Sequence, residues 1–142
     1  MTRKIEDLKP TDNLVVQKYI AKPHIIDGFK YDLRIYVYVV GMNPLRVYVY
    51  KDGLARFAAE KYEKPTDKNM KNLNVHLTNY AINKDHEDFI ANEDAAKDDV
   101  GSKRSMKSVM EGIEHEEGEE IALRLEEKIY DLIIKSMCLS CP

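Results

Sequence analysis

The sequence predicts an α+β fold, with an antiparallel sheet over about residues 13–57 followed by a long C-terminal helix over about 119–137. Three observations carry this. Residues 30–40 alternate, with Leu33, Ile35, Val37 and Val39 on one side of the pleat and Lys30, Asp32, Arg34, Tyr36 and Tyr38 on the other. Residues 45–50 repeat the pattern, setting Leu45, Val47 and Val49 against Arg46, Tyr48 and Tyr50. Near the end of the chain, Ile121, Leu125, Ile129, Leu132 and Ile133 fall at helical spacing.

Each element follows from local chemistry. Residues 1–12 are polar and contain Pro10, so they read as a lead-in with one short turn. NLVVQKYI at 13–20 is β-branched and aromatic enough for a strand, which Lys22-Pro23 ends. Asp27-Gly28 is a turn signal, Gly41-Met42-Asn43-Pro44 supplies the loop between the two alternating strands, and Asp52-Gly53 predicts a further hairpin that delivers Arg56 on a third strand. Residues 58–72 read as a surface connection, and LNVHLTNYAIN at 73–83 as a short strand or irregular segment. Residues 84–105 carry many charges and few large apolar groups, which predicts a mobile loop. The acidic run EGIEHEEGEE at 111–120 reads as a solvated helix start, and Glu119 and Glu120 complement the dipole of the final helix. That helix is expected to pack Ile121, Leu125, Ile129 and Leu132 on the apolar face of the sheet.

At 142 residues the chain has the length of a single domain. Its 44% apolar and 33% charged content is that of a globular protein. No run approaches the ~18 apolar residues of a membrane span, and the first residues do not resemble a signal peptide, so the expectation is a cytoplasmic protein without a membrane partner. A net charge of −3 argues against general binding to nucleic acid. Tyr36, Tyr38, Tyr48 and Tyr50 could stack on single-stranded bases, but the basic excess such binding uses is missing. Cys138 and Cys141 form a C-x-x-C with no second pair to complete a structural zinc site, and they trail a predicted helix where a thioredoxin-type pair lies near a βαβ pattern, so they read as reduced cysteines.

The row of Lys30, Asp32 and Arg34, joined by Arg56, is the feature that asks for chemistry. Any one of these on a strand is most simply a solvated side chain. Together, beside tyrosines, they suggest an anion site in which Arg34 chelates phosphate oxygens, Lys30 adds a point charge and Asp32 accepts from ribose hydroxyls. Thr78 and Asn79 offer short polar groups to a ligand or to a turn.

At these residues a resemblance becomes specific. QKYI at 17–20, DGFKYDLRIYV at 27–37, LARFA at 54–58, HLTNYAIN at 76–83 and GSKR at 101–104 resemble the tubulin tyrosine ligase-like family, and most of all its polyglutamylase branch. The resemblance covers nearly the whole chain. It implies an ATP-grasp fold, of which residues 1–142 would form a single partial domain, and a ligase that uses ATP and Mg2+ to join glutamate to tubulin through an acylphosphate.

Carried over residue by residue, Gln17, Lys18, Tyr19 and Ile20 resemble the segment that meets adenine. Lys30, Tyr31 and Asp32 resemble the adenosine contacts, and Arg34 a phosphate-side arginine. Thr78 and Asn79 resemble further nucleotide contacts. Arg56 resembles the arginine that grips the incoming glutamate, with Tyr80, Ala81 and Lys103 as the rest of the amino-acid pocket; Arg34 and Arg56 are the candidate catalytic pair. Ala81 departs from the serine common in the family, which removes one hydroxyl contact. The family's magnesium ligands, an aspartate and a later Glu-x-Asn, find no match in this sequence, nor do the phosphate lysines of its N-terminal lobe, so no metal ligand is assigned and an incomplete catalytic fragment is expected. The implied partners are free glutamate, tubulin C-terminal tails and microtubules, and the implied location is the cytoplasmic cytoskeleton, including cilium or basal body. The competing expectation is a non-catalytic module that binds a nucleotide or a tubulin tail.

Overall fold

The computed structural model describes residues 1–2, 4–9, 13–92 and 98–140. After one 3-10 turn at Ile5–Asp7, the elements run β1 (Ile25–Ile26), β2 (Phe29–Met42), β3 (Leu45–Phe57), α1 (Leu73–His76), α2 (Tyr80–Asn83), β4 (Lys103–Ser105), α3 (Met106–Glu117) and α4 (Glu119–Leu139). The strands form a four-stranded sheet in the order β1-β2-β3-β4, which makes the fold α+β. Asp27 and Gly28 both take positive φ, as a two-residue type I′ hairpin turn demands, and they set β1 antiparallel on β2 with Ile25 opposite Lys30.

The chain divides into two compact units, one of Met1–Asp32 with Arg56–Ile90 and one of Leu33–Ala55 with Ala91–Pro142. In the first, Phe57, Ala58, Ala59 and Val75 are buried together with the polar His76 and Asn83. The Tyr31 ring stacks on Phe57 at a centroid distance of 5.5 Å.

In the second unit α3 starts at an N-cap whose side chain, Ser105 Oγ, accepts from Ser108 N at 3.0 Å. It ends at Gly118, whose φ of 100° disfavours any residue with a side chain. α4 packs on α3, and Val109, Ile113 and Ala122 are buried. Among the described residues no helix is long and apolar enough to cross a membrane.

Several expectations are corrected. Residues 13–20 form no strand, and the sheet begins at Ile25: Val15 is 85% exposed and Val16 72%, so β-branched composition found no neighbouring strand to pair with. Asp52-Gly53 makes no turn, because β3 runs straight through it. A Cβ on Gly53 would collide with the Arg34 carbonyl oxygen, so the glycine is there for close backbone approach. Residues 73–83 contain two single-turn helices instead of a strand, the first capped by the Asn72 side chain on Asn74 N. Within the expected mobile loop, Lys103–Ser105 is strand β4 and Ser102 is buried, while residues 93–97 lie outside the described residues.

The acidic run is divided between two helices. Its first part closes α3, and only Glu119 and Glu120 open α4. That extra helix changes the packing: the described partner of α4 is α3 rather than a sheet face, with Ile121 and Leu132 exposed. Cys138 is exposed, and Cys141 lies outside the described residues.

Candidate functional site

The first compact unit holds most of the predicted site residues: Gln17, Lys18, Tyr19, Ile20, Lys30, Tyr31, Asp32, Arg56, Thr78, Asn79, Tyr80 and Ala81. Arg34 and Lys103 belong to the second unit, Arg34 exposed on β2 and Lys103 half-buried on β4.

Lys30 is held from two sides. Its Nζ donates to the His76 carbonyl oxygen at 2.8 Å and to Tyr19 Oη at 3.3 Å, and it lies 4.3 Å from the centroid of the Tyr19 ring. An ammonium has three donors, so these two contacts fix its direction and leave one N–H. Burial pulls the Lys30 pKa below its ordinary value, against the pull of the Asp32 carboxylate. Tyr19 is itself held, its hydroxyl 3.0 Å from His76 Nδ1 and its ring edge-on to the imidazole. Burial, reinforced by Tyr62, keeps the Tyr19 phenol protonated well past its ordinary range. His76 is fully buried, and burial depresses its pKa, with the Lys30 ammonium acting in the same direction.

Asp32 and Arg56 were expected to serve different ligands, but they meet in a bidentate pair. Arg56 Nε donates to Asp32 Oδ1 at 3.0 Å and Nη2 to Oδ2 at 2.5 Å. Gln17, Lys18 and Ile20 are exposed. Thr78 is half-buried, and Asn79 stands at the N-cap of α2 without using its side chain to cap it. Tyr80 is about half exposed, its ring edge-on to Phe89 at 5.8 Å, and Ala81 is exposed.

Two residues of this unit were missed. His76 and Asn83 are its most deeply buried large side chains, and both lie inside the HLTNYAIN block without having been assigned a role. The signal was available: a histidine and an amide interleaved with Val75, Leu77 and Ile82 are polar groups in an apolar frame, and burial obliges such groups to find partners. An open depression in the same unit, lined by residues that include Glu60, Glu63, Glu87 and Asp88, contains none of the predicted residues and has the wrong charge for a phosphate.

The sequence model of the tubulin-tyrosine ligase family matches residues 1–141. The chain belongs to that family. Among curated relatives, this family member is 45% identical over 142 residues to a probable beta-tubulin polyglutamylase of Tetrahymena thermophila, with the whole of this chain and 12% of the relative covered. It is 43% identical over 143 residues to human tubulin polyglutamylase TTLL6, where it covers 15% of the relative, and 41% identical over 142 residues to zebrafish (Danio rerio) tubulin polyglutamylase ttll6, where it covers 17%. The chain thus spans only 12–17% of the length of these curated relatives.

Proposed function

We propose that this chain is the nucleotide- and amino-acid-holding part of an ATP-dependent ligase that joins glutamate to tubulin, a partial ATP-grasp domain acting on tubulin tails at the cytoskeleton. The observation that carries the reading is Lys30. A partly buried ammonium aimed by a carbonyl and a phenol is a preorganised donor for a phosphate oxygen, and it sits among blocks shared with the ligase family.

The residues fit a nucleotide. Lys30 would meet phosphate, Asp32 has lone pairs beyond those that Arg56 uses, and the Asn79 side chain is not spent on its own helix. Gln17, Lys18, Tyr19 and Ile20 would border the base, Tyr31 the adenosine, and Thr78 a phosphate or ribose oxygen. Bound ATP supplies the phosphoryl group that activates a carboxylate. Arg56, with Tyr80 and Ala81, would orient glutamate. Magnesium is a different matter: among the described residues no three His, Cys, Asp or Glu side chains converge to hold a metal, so no step is assigned to it here.

Calorimetric titration of the chain with ATP tests the nucleotide half of the reading. The expected result is saturable binding that Lys30→Met weakens by roughly tenfold or more, the loss of one charge-assisted contact. A chimera in which this chain replaces the matching segment of the Tetrahymena relative tests the rest, and it should transfer labelled glutamate to tubulin. Binding without transfer in that chimera would favour a non-catalytic module; no ATP binding by either protein would overturn the proposal.

A further inference from the structure

Asn83 closes α2 and is 1% exposed, yet it carries a full set of amide contacts. Its Oδ1 accepts from Ala59 N at 3.0 Å, and its Nδ2 donates to the Leu77 carbonyl at 2.9 Å and to the Asn79 carbonyl at 3.0 Å. Its backbone N–H also donates to the Asn79 carbonyl, at 3.1 Å. The two carbonyls lie on either side of Thr78 and Asn79, so one side chain brackets that pair from both ends. The same side chain anchors the pair to Ala59, three residues beyond Arg56 on the chain.

We infer that Asn83 is a positioning residue, which fixes the Thr78-Asn79 segment relative to the end of β3 so that both can meet a ligand without further ordering. The inference rests on the reading of Thr78 and Asn79 as ligand contacts. Asn83 touches no ligand in it. The physics favours an amide over other buried residues: only Asn or Gln offers an acceptor and two donors from one neutral planar group, and every one of these would be costly to leave unpaired at this depth. A site whose contacts are held by a satisfied buried group avoids the entropy of ordering them on binding.

Asn83→Asp tests this with little change of shape. It keeps the acceptor for Ala59 N and removes both donors to the carbonyls. In the chain without nucleotide, 15N relaxation should show Thr78 and Asn79 losing order. In the ATP titration the affinity should fall by roughly tenfold or more, the size found where a group that orients a metal ligand is removed. Protonating the aspartate restores one donor, so the ratio of mutant to native affinity should recover as pH falls. Val109→Ala, buried in α3 in the other unit and chosen for an equal loss of Tm, should change neither readout.

Native order at Thr78 and Asn79 in Asn83→Asp would overturn the inference, and so would unfolding of both Asn83→Asp and Asn83→Ser, which would make Asn83 a folding residue only. If the native chain binds no ATP, the nucleotide reading fails by itself, and the relaxation result still decides whether Asn83 positions this segment.

Discussion

Asp32 and Arg56, 24 positions apart in the chain, face each other through two parallel hydrogen bonds. The guanidinium is thereby oriented before any ligand arrives, and the carboxylate is held by a partner that the proposed function gives to the amino acid. Residues expected to act on the nucleotide and on glutamate are therefore one electrostatic unit, and a change at either is felt at both.

In the chimera with the Tetrahymena relative, Arg56→Lys keeps the charge but loses the planar fork. The KM for glutamate should rise by roughly tenfold or more, while the KM for ATP moves much less. Asp32→Asn should also raise the KM for glutamate, because it frees Arg56 from its set orientation. In a double-mutant cycle the two effects should be non-additive by about 0.5–3 kcal/mol. Steady-state kinetics with each substrate varied in turn decides this, and unchanged glutamate dependence in Arg56→Lys would remove Arg56 from the amino-acid site.

His76 makes the stability of its unit depend on pH. Burial holds its pKa below the ordinary value of about 6.5, so the unfolded chain takes up the proton first as pH falls. Stability is complete above that value and is lost as pH falls from it toward the depressed native pKa. His76→Gln should flatten this dependence between about pH 7 and pH 5, read as the urea midpoint at several pH values. An equal slope in native and mutant chains would assign the acid sensitivity to other groups.

Gly53 and Gly112 should respond in opposite directions to alanine. At Gly53 a methyl group meets the Arg34 carbonyl oxygen, and Gly53→Ala should cost about 1–3 kcal/mol. Gly112 lies exposed within α3 with nothing within 4 Å of an added Cβ, and Gly112→Ala should stabilise by about 0.5–1 kcal/mol. Urea titration measures both, and a neutral Gly53→Ala would show that β2 and β3 can part locally at no cost.

The sequence was most legible where one period ran long enough to speak alone. Alternation over residues 30–40 and 45–50 marked β2 and β3, and helical spacing from Ile121 onward marked α4 to within two residues of its end. It misled where a residue type has two uses. Glycine after aspartate signals a turn, but at Gly53 it serves close contact between strands. Val15 and Val16 favour a strand, but a strand exists only when paired. For the site, charge and family resemblance singled out Lys30, Asp32 and Arg56, whereas the contacts joining them were hidden. That Asp32 takes Arg56, and that Lys30 rests on a carbonyl of His76, are tertiary facts with separations of 24 and 46 residues.

The same separation governs the order in which the site can assemble. Bringing Asp32 and Arg56 together from an open chain means closing a 24-residue loop, with an entropy cost that no single ion pair offsets. The residues between them are the inner parts of β2 and β3, joined in sequence by a short turn and in contact through the Tyr36 and Tyr50 rings at 6.5 Å. A local hairpin of this kind forms in about 1–10 μs and zips toward its open ends. Each rung shortens the loop still to be closed, so Asp32 and Arg56 meet at the end of the zipper. The rate at which the Asp32–Arg56 pair forms is then set by the sheet that lies between them: weakening the Tyr36–Tyr50 contact should slow the appearance of the ion pair while leaving the finished pair intact.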